Sequence, residues 1–304
     1  MSTPGVTVEL RELTRLQGTA RNLRFSGLRH PLSTRAGSHI SAHKGRGLEF
    51  DEVRHYQPGD DVRSIDWRIT ARRGKPHTRL YREERERPIL ILADLNPGMF
   101  FGTRRQFKSV QVAQLTALAA WAAQQNGDRI GGVVIGADRF LVLPPQSRER
   151  GVMTLLHALH QQQPRSPGDG RPGRLDQGLA KLTALTRPGS LVILLSDFRE
   201  LTSAGEKSLR VLTHHNDLLA GFIYDSLEAH PPAQGKYGFA SLHRRLVLDT
   251  GLAEVQHQWR EEFQRRHEHL HQLGRQNNFP VLDISTEMEP SHILRQAIGR
   301  FRRQ

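Results

Sequence analysis

Cysteine is absent from the 304 residues. Disulfides, thiolate nucleophiles and Cys-ligated zinc or iron–sulfur centres are therefore excluded. A reducing, cytoplasmic setting is the matching expectation. Long apolar runs are also missing. PILILADL and SLVILL fall well short of the roughly 18 residues that a membrane span needs, and mean hydropathy is −0.55. The opening MSTPGVTVELREL has no basic stretch followed by an apolar core, so no secretory leader is expected. There is no GxxxxGK[ST] phosphate loop and no GxSxG nucleophile elbow. Nucleotide hydrolysis by the first route and serine acyl transfer by the second are not expected. No base–nucleophile constellation stands out, and a non-enzymatic role is the expectation.

What the chain does have is enough apolar material, 37% of residues, for a substantial core. Lys and Arg number 44 against 31 Asp and Glu, a net charge of +13. Such a balance attracts polyanions, so nucleic-acid binding is the alternative function. The charge is spread along the chain, however. The runs YREERERP and GRFRRQ are mixed in sign or short, and no aromatic platform for stacking bases accompanies them.

From Pro88 onward, continuous apolar runs of strand length alternate with amphipathic helices. PILILADL, RIGGVVIGA, SLVILLSDF, LLAGFIYD and FPVLDIST read as strands, most of them buried on both faces. KSVQVAQLTALAAWAAQQ, RERGVMTLLHALHQQ, LDQGLAKLTALT, EKSLRVLTHHN, the long helix EVQHQWREEFQRRHEHLHQLGRQNN and HILRQAIGRF read as helices. RFLVLPP continues the sheet through a turn at Ala137-Asp138, HRRLVLDTG reads as an edge hairpin, and residues 164–173 read as a flexible loop. The predicted fold class is α/β, three-layered, with a mainly parallel sheet and helices on both faces. In such sheets ligands sit beyond the carboxyl ends of the strands.

Two strands end in aspartate at that edge, Asp94 and Asp197. With Asn96 two residues beyond Asp94, they form an oxygen donor set suited to Mg²⁺. The simpler reading is that they cap the next turns and bond loop amides. Upstream, EFDEVRHYQPGDDVRSIDWRITARR interleaves acids, bases and aromatics. Arg54, Arg63, Arg68 and Arg72 could contact an anion, or could pair with Asp60, Asp61 and Asp66 in a structural network, with Tyr56 and Trp67 supplying buried area. Asp60 or Asp61 is the expected cap of a short helix ending near Gly74. In HEHLH, His267 and His271 stand one helical turn apart, a possible metal pair. The glutamate of the zinc-protease pattern is missing and the helix reads as surface-lying, so a solvated face is favoured.

The stretch from Gly45 to Met99 resembles the bacterial family called "domain of unknown function 58". The matching features are Gly47-x-Glu49-Phe50, Arg54-x-Tyr56-x-Pro58-Gly59-Asp60-Asp61-x-Arg63, Ile65-Asp66-Trp67 and Ala71-Arg72. The chain beyond Pro88 is similar to the von Willebrand factor A-like domain that completes this family. The resemblance implies an N-terminal segment, residues 1–84, carrying the signature Gly47–Arg72, and an A-like domain over 85–304. It also implies a metal-ion-dependent adhesion site, in which Asp94 and Asp197 match the two aspartates. Asn96 takes the first serine position and Gly98 the second. Leu175 falls at the threonine position with Asp176 beside it, so the site is degenerate and Mg²⁺ is expected to bind weakly or not at all. Members of the family are usually encoded beside MoxR-type AAA+ ATPases. The implied role is therefore that of an adaptor, binding such an ATPase or its client protein through loops 94–103, 136–147, 164–178 and 197–205 in the assembly or maturation of other proteins.

Overall fold

The computed structural model describes residues 4–21, 23, 48–57, 62, 65–83, 87–168, 172–240 and 245–301. The chain divides into two compact units, Thr34–Glu86 and Met1–Ser33 together with Arg87–Gln304.

In the smaller unit, β1 (Leu48–His55) pairs antiparallel with β2 (His77–Glu83), and α2 (Trp67–Arg73) lies between them in sequence. This helix starts later than the sequence suggests. Ile65 bridges to Thr78, and the Asp66 N–H donates to His77 O at 2.8 Å, so residues 65 and 66 are held extended beside β2. Asp66 is therefore the cap: its Oδ1 accepts from the Arg68 and Ile69 amides at 3.0 and 3.1 Å. Gly74, at φ +69°, closes the helix. Trp67, expected to supply buried area, is 67% exposed, because it occupies the first turn of a helix with no buried residue. Tyr56 is half-buried, and Arg68 and Arg72 are exposed. Glu49 and Arg54 lie on β1, opposite Arg82 and Thr78. Asp60, Asp61 and Arg63 lie outside the described residues.

The larger unit holds β3 (Pro88–Asp94), β4 (Arg129–Ile135), β5 (Phe140–Gln146), β6 (Leu191–Ser196), β7 (Asp217–Tyr224) and β10 (Val281–Ser285). They form one sheet in the order β10-β7-β6-β3-β4-β5, parallel throughout except for β5. Successive side chains of a strand face opposite ways, so each strand feeds two cores. Ile89, Ile91 and Ala93 enter one, with α1 (Leu10–Ala20), α3 (Lys108–Gln125), α4 (Arg148–Gln162) and α9 (Pro290–Phe301). Leu90 and Leu92 enter the other, with α5 (Arg174–Leu185), α6 (Ser203–His215) and α8 (Ala253–Gln276). The remaining elements are the single turn α7 (Ser226–Ala229) and a hairpin of β8 (Lys236–Ala240) and β9 (Arg245–Asp249). The fold is thus α/β, with three layers and a mainly parallel sheet.

The division of the chain departs from a single break near residue 85. Helix α1 belongs to the larger unit: Leu13 is fully buried, and its carbonyl accepts from Trp121 Nε1 at 3.1 Å in the middle of α3. An amphipathic helix with Leu10, Leu13 and Leu16 on one face needs an apolar surface, and the alanine-rich α3 lets it approach closely.

Burial of this kind makes Leu13→Ala destabilising by about 3 kcal/mol in denaturant unfolding of the larger unit. A loss below about 1 kcal/mol would mean that α1 is a dispensable extension.

Candidate functional site at the carboxyl edge of the sheet

The chain leaves β3 through α3 on one face of the sheet and leaves β6 through α6 on the other. The winding therefore reverses at the carboxyl ends of this adjacent parallel pair, the place where α/β sheets bind ligands. Asp94 ends β3 and Asp197 comes directly after β6, so the register brings them to the same rim. Ser196 donates its hydroxyl to Asp94 Oδ2 at 2.6 Å. Asp94 Oδ1 accepts from the Asn96 amide at 3.1 Å and from Asn96 Nδ2 at 2.7 Å. The Asn96 side-chain oxygen accepts from the Gly98 amide at 2.7 Å and caps the short 3-10 turn Pro97–Met99. Burial and the nearby Asp197 charge push the Asp94 carboxyl up to about 6, against the pull of these hydrogen bonds.

The centre of the site is Lys108, the first residue of α3, with only 1% of its side chain exposed. Its ammonium donates to Asp197 Oδ2 at 2.7 Å and to Glu228 Oε1, on α7, at 3.1 Å. A cation at a helix N-terminus is disfavoured by the macrodipole, and burial alone would lower its pKa. The Asp197 and Glu228 carboxylates outweigh burial and raise it, so the ammonium stays charged. Burial alone would raise Asp197, but Lys108 first, then Arg199 and Arg266, hold it down at about 2. Arg199 reaches Glu228 Oε1 at 2.8 Å with 59% of its side chain exposed. Arg266 on α8 lies 3.9 Å from the same oxygen and over the rings of Phe222 and Phe263.

A third strand-end aspartate completes the rim. Asp225 comes directly after β7 and is fully buried. It accepts from the Thr103 hydroxyl and amide, the Leu227 amide and the Thr286 hydroxyl, at 2.6 to 3.0 Å. Burial would raise its carboxyl; these bonds, led by Thr103 and Thr286, hold it below the usual range. They also pin loop 94–103 to the segment after β10. Glu200, half-buried, is pushed up to about 7 by burial and by the Asp94 and Asp197 charges.

The donor set fits a divalent cation poorly. Both Asp94 oxygens and the Asn96 oxygen already accept protein hydrogen bonds, while Asp197 meets a buried ammonium flanked by two guanidiniums. Asp176, beside the threonine position, accepts from the Thr202 amide and hydroxyl at 3.2 and 2.5 Å, tying α5 to the loop before α6. Leu175 is core. The cation that Asp197 meets in this arrangement is the Lys108 ammonium.

The structure thus brings Asp94, Asn96 and Asp197 to one edge, and adds Lys108, Glu228 and Asp225, which the sequence patterns did not single out. Two of the three, Lys108 and Asp225, had a signal in the sequence. Lys108 is the lone charged residue of α3, and LLAGFIYD ends in aspartate as the two chosen strands do.

Residues 52–272 match the family model described as "Protein of unknown function DUF58", and the chain belongs to that family. An uncharacterized protein of Mycobacterium tuberculosis is 27% identical over 199 residues, which is 66% of this chain. The chain spans about 62% of the length of the curated relatives it matches. Among solved structures, the conserved hypothetical protein BatB from Bacteroides thetaiotaomicron aligns over 72% of this chain and all of its own, at 11% identity and a TM-score of 0.45. A von Willebrand factor type A protein from Catenulispora acidiphila aligns over 74% of this chain and 43% of its own, at 12% identity and a TM-score of 0.38. At these identities and scores neither likeness bears on function.

Lys108→Met leaves the Asp197 and Glu228 carboxylates buried without their shared cation. It is expected to cost about 3–5 kcal/mol in denaturant unfolding; a cost under about 1 kcal/mol would show the ammonium to be dispensable. Asp94 gives a pH signature. Its folded value, about 6, lies above the ordinary 3.8, so its ionisation opposes folding. The cost is absent below 3.8, grows toward 6 and is complete above it. Stability relative to Asp94→Asn should fall by about 3 kcal/mol, at roughly 1.36 kcal/mol per pKa unit, as pH rises through that window. A flat difference would mean Asp94 titrates normally.

Proposed function

We propose that this chain is a non-catalytic interaction protein that works with a MoxR-type AAA+ ATPase or its client protein, with the carboxyl-edge loops as the contact. The observation that carries the contact is the charge arrangement at the rim: Lys108, buried and neutralised by Asp197 and Glu228, holds the loops in place, while Arg199 and Arg104 keep 59% and 74% of their side chains exposed beside them. In this reading a carboxylate of the partner meets a guanidinium, where an adhesion site of the A type would present Mg²⁺. The degenerate site is thus a metal-free variant of the same docking idea, and the contact is a charge-assisted hydrogen bond. Among the described residues, no helix is long and apolar enough to cross a membrane.

The test is co-purification with a co-expressed MoxR-type AAA+ ATPase. The wild-type chain should retain the ATPase, and Arg199→Glu together with Arg104→Glu should reduce retention at least tenfold. Undiminished retention by the double variant would remove the carboxyl edge as the contact. Calorimetry on the chain alone should show no Mg²⁺ or Mn²⁺ binding that Asp197→Ala abolishes. If the +13 charge instead served nucleic acid, filter binding at two salt concentrations would show tight retention falling steeply with salt.

A further inference from the structure

A second constellation lies on the larger unit; none of its three polar groups belongs to the carboxyl-edge network, although the Phe222 and Phe263 rings pack against both Arg266 and His267. Helix α8 anchors itself to the sheet with Phe263, Leu270 and Leu273. That packing turns His267 and His271, one helical turn apart, toward the edge strand β10. Asp283, at the exposed middle position of β10, receives them. His267 Nε2 and His271 Nε2 each lie 2.9 Å from the same carboxylate oxygen, Asp283 Oδ1. All three donor atoms lie within 4.8 Å of one another.

The two imidazoles are placed rather than loose. The His267 ring stacks on Phe263 at 6.0 Å and meets the edge of Phe222 at 5.7 Å, and the two imidazole centroids are 4.3 Å apart. Between 27% and 41% of each of the three side chains remains exposed, so an ion could enter from solvent without unfolding anything. Metal bonds of about 2.1 Å in a tetrahedron set donors roughly 3.4 Å apart. The 2.9 Å contacts reach that spacing by small side-chain rotations.

We infer that His267, His271 and Asp283 form a binding site for a late first-row divalent cation, zinc foremost, with one coordination position open to water or to a side chain of another molecule. Two imidazole nitrogens and one carboxylate oxygen suit zinc and its neighbours and do not suit Mg²⁺, which prefers an all-oxygen octahedron. Sequence spacing supplied two of the ligands. The third comes from a strand that only the fold brings beneath them. A bound ion would clasp α8 to β10, the outermost strand of the sheet among the described residues.

The experiment uses the untagged full chain, stripped with a chelator and titrated with Zn²⁺ and, for its visible spectrum, Co²⁺. One tight equivalent is expected, with a tetrahedral Co²⁺ band and a Zn²⁺-dependent rise in Tm that Mg²⁺ does not produce. His267→Gln with His271→Gln, and separately Asp283→Asn, should each weaken that equivalent by roughly tenfold or more and abolish the Co²⁺ band. The chain has 16 histidines, so the variants decide. Zn²⁺ binding and a Tm shift that persist unchanged in both, or a wild type that takes up no Zn²⁺, would overturn the assignment. Circular dichroism of the metal-free variants shows that any loss is not unfolding. The rim contact is tested by different residues and a different readout, so either result stands alone.

Discussion

A buried ammonium shared by two carboxylates organises the carboxyl edge of this protein. Lys108 starts a helix whose other residues are uncharged, and it is carried into the interior by the packing of that helix. Once there it must be neutralised. Asp197 comes from the end of β6 and Glu228 from the turn after β7, so one cation fixes three separate segments. Removing any partner leaves an unmatched charge in a poorly solvated place, which is why such networks constrain geometry more than they add stability. Asp94 sits beside this network, and its burial, together with the Asp197 charge, raises its pKa.

Much of the fold was legible because buried parallel strands write themselves as unbroken apolar runs. PILILAD and LVILLS lie at the centre of the sheet for that reason, and their terminal aspartates meet at the rim as the winding requires. The antiparallel β5 was readable from its short turn. Less legible was anything set by contacts between distant segments. Nothing near Leu13 announces that its carbonyl will receive the Trp121 indole, so the first helix looked like part of a separate leading segment. Asp66 rather than Asp60 or Asp61 caps α2, because pairing with β2 keeps the residues before it extended.

The candidate site shows the same split. Oxygen-bearing side chains at strand ends are visible in a sequence, but their partners are not. Asn96 stands at a ligand position in the sequence, but that its carbonyl oxygen accepts from the Gly98 amide could not be read there. Lys108 looks like an ordinary helix start until its ammonium is found between carboxylates. His267 and His271 show the same limit: their helical spacing is visible in the sequence, while Asp283, which both contact, comes from a strand that only the fold brings near.

The membership of α1 in the larger unit bears on how the chain is made. Residues 34–86 are an insertion, entered from and returned to the same body. The first helix must wait at the ribosome, its apolar face uncovered, until the whole insertion and then α3 have been synthesised. Closing that long intervening loop costs conformational entropy that grows only slowly with its length. The inserted unit, tethered to the body at both of its ends, cannot be lost by a single cut in the chain.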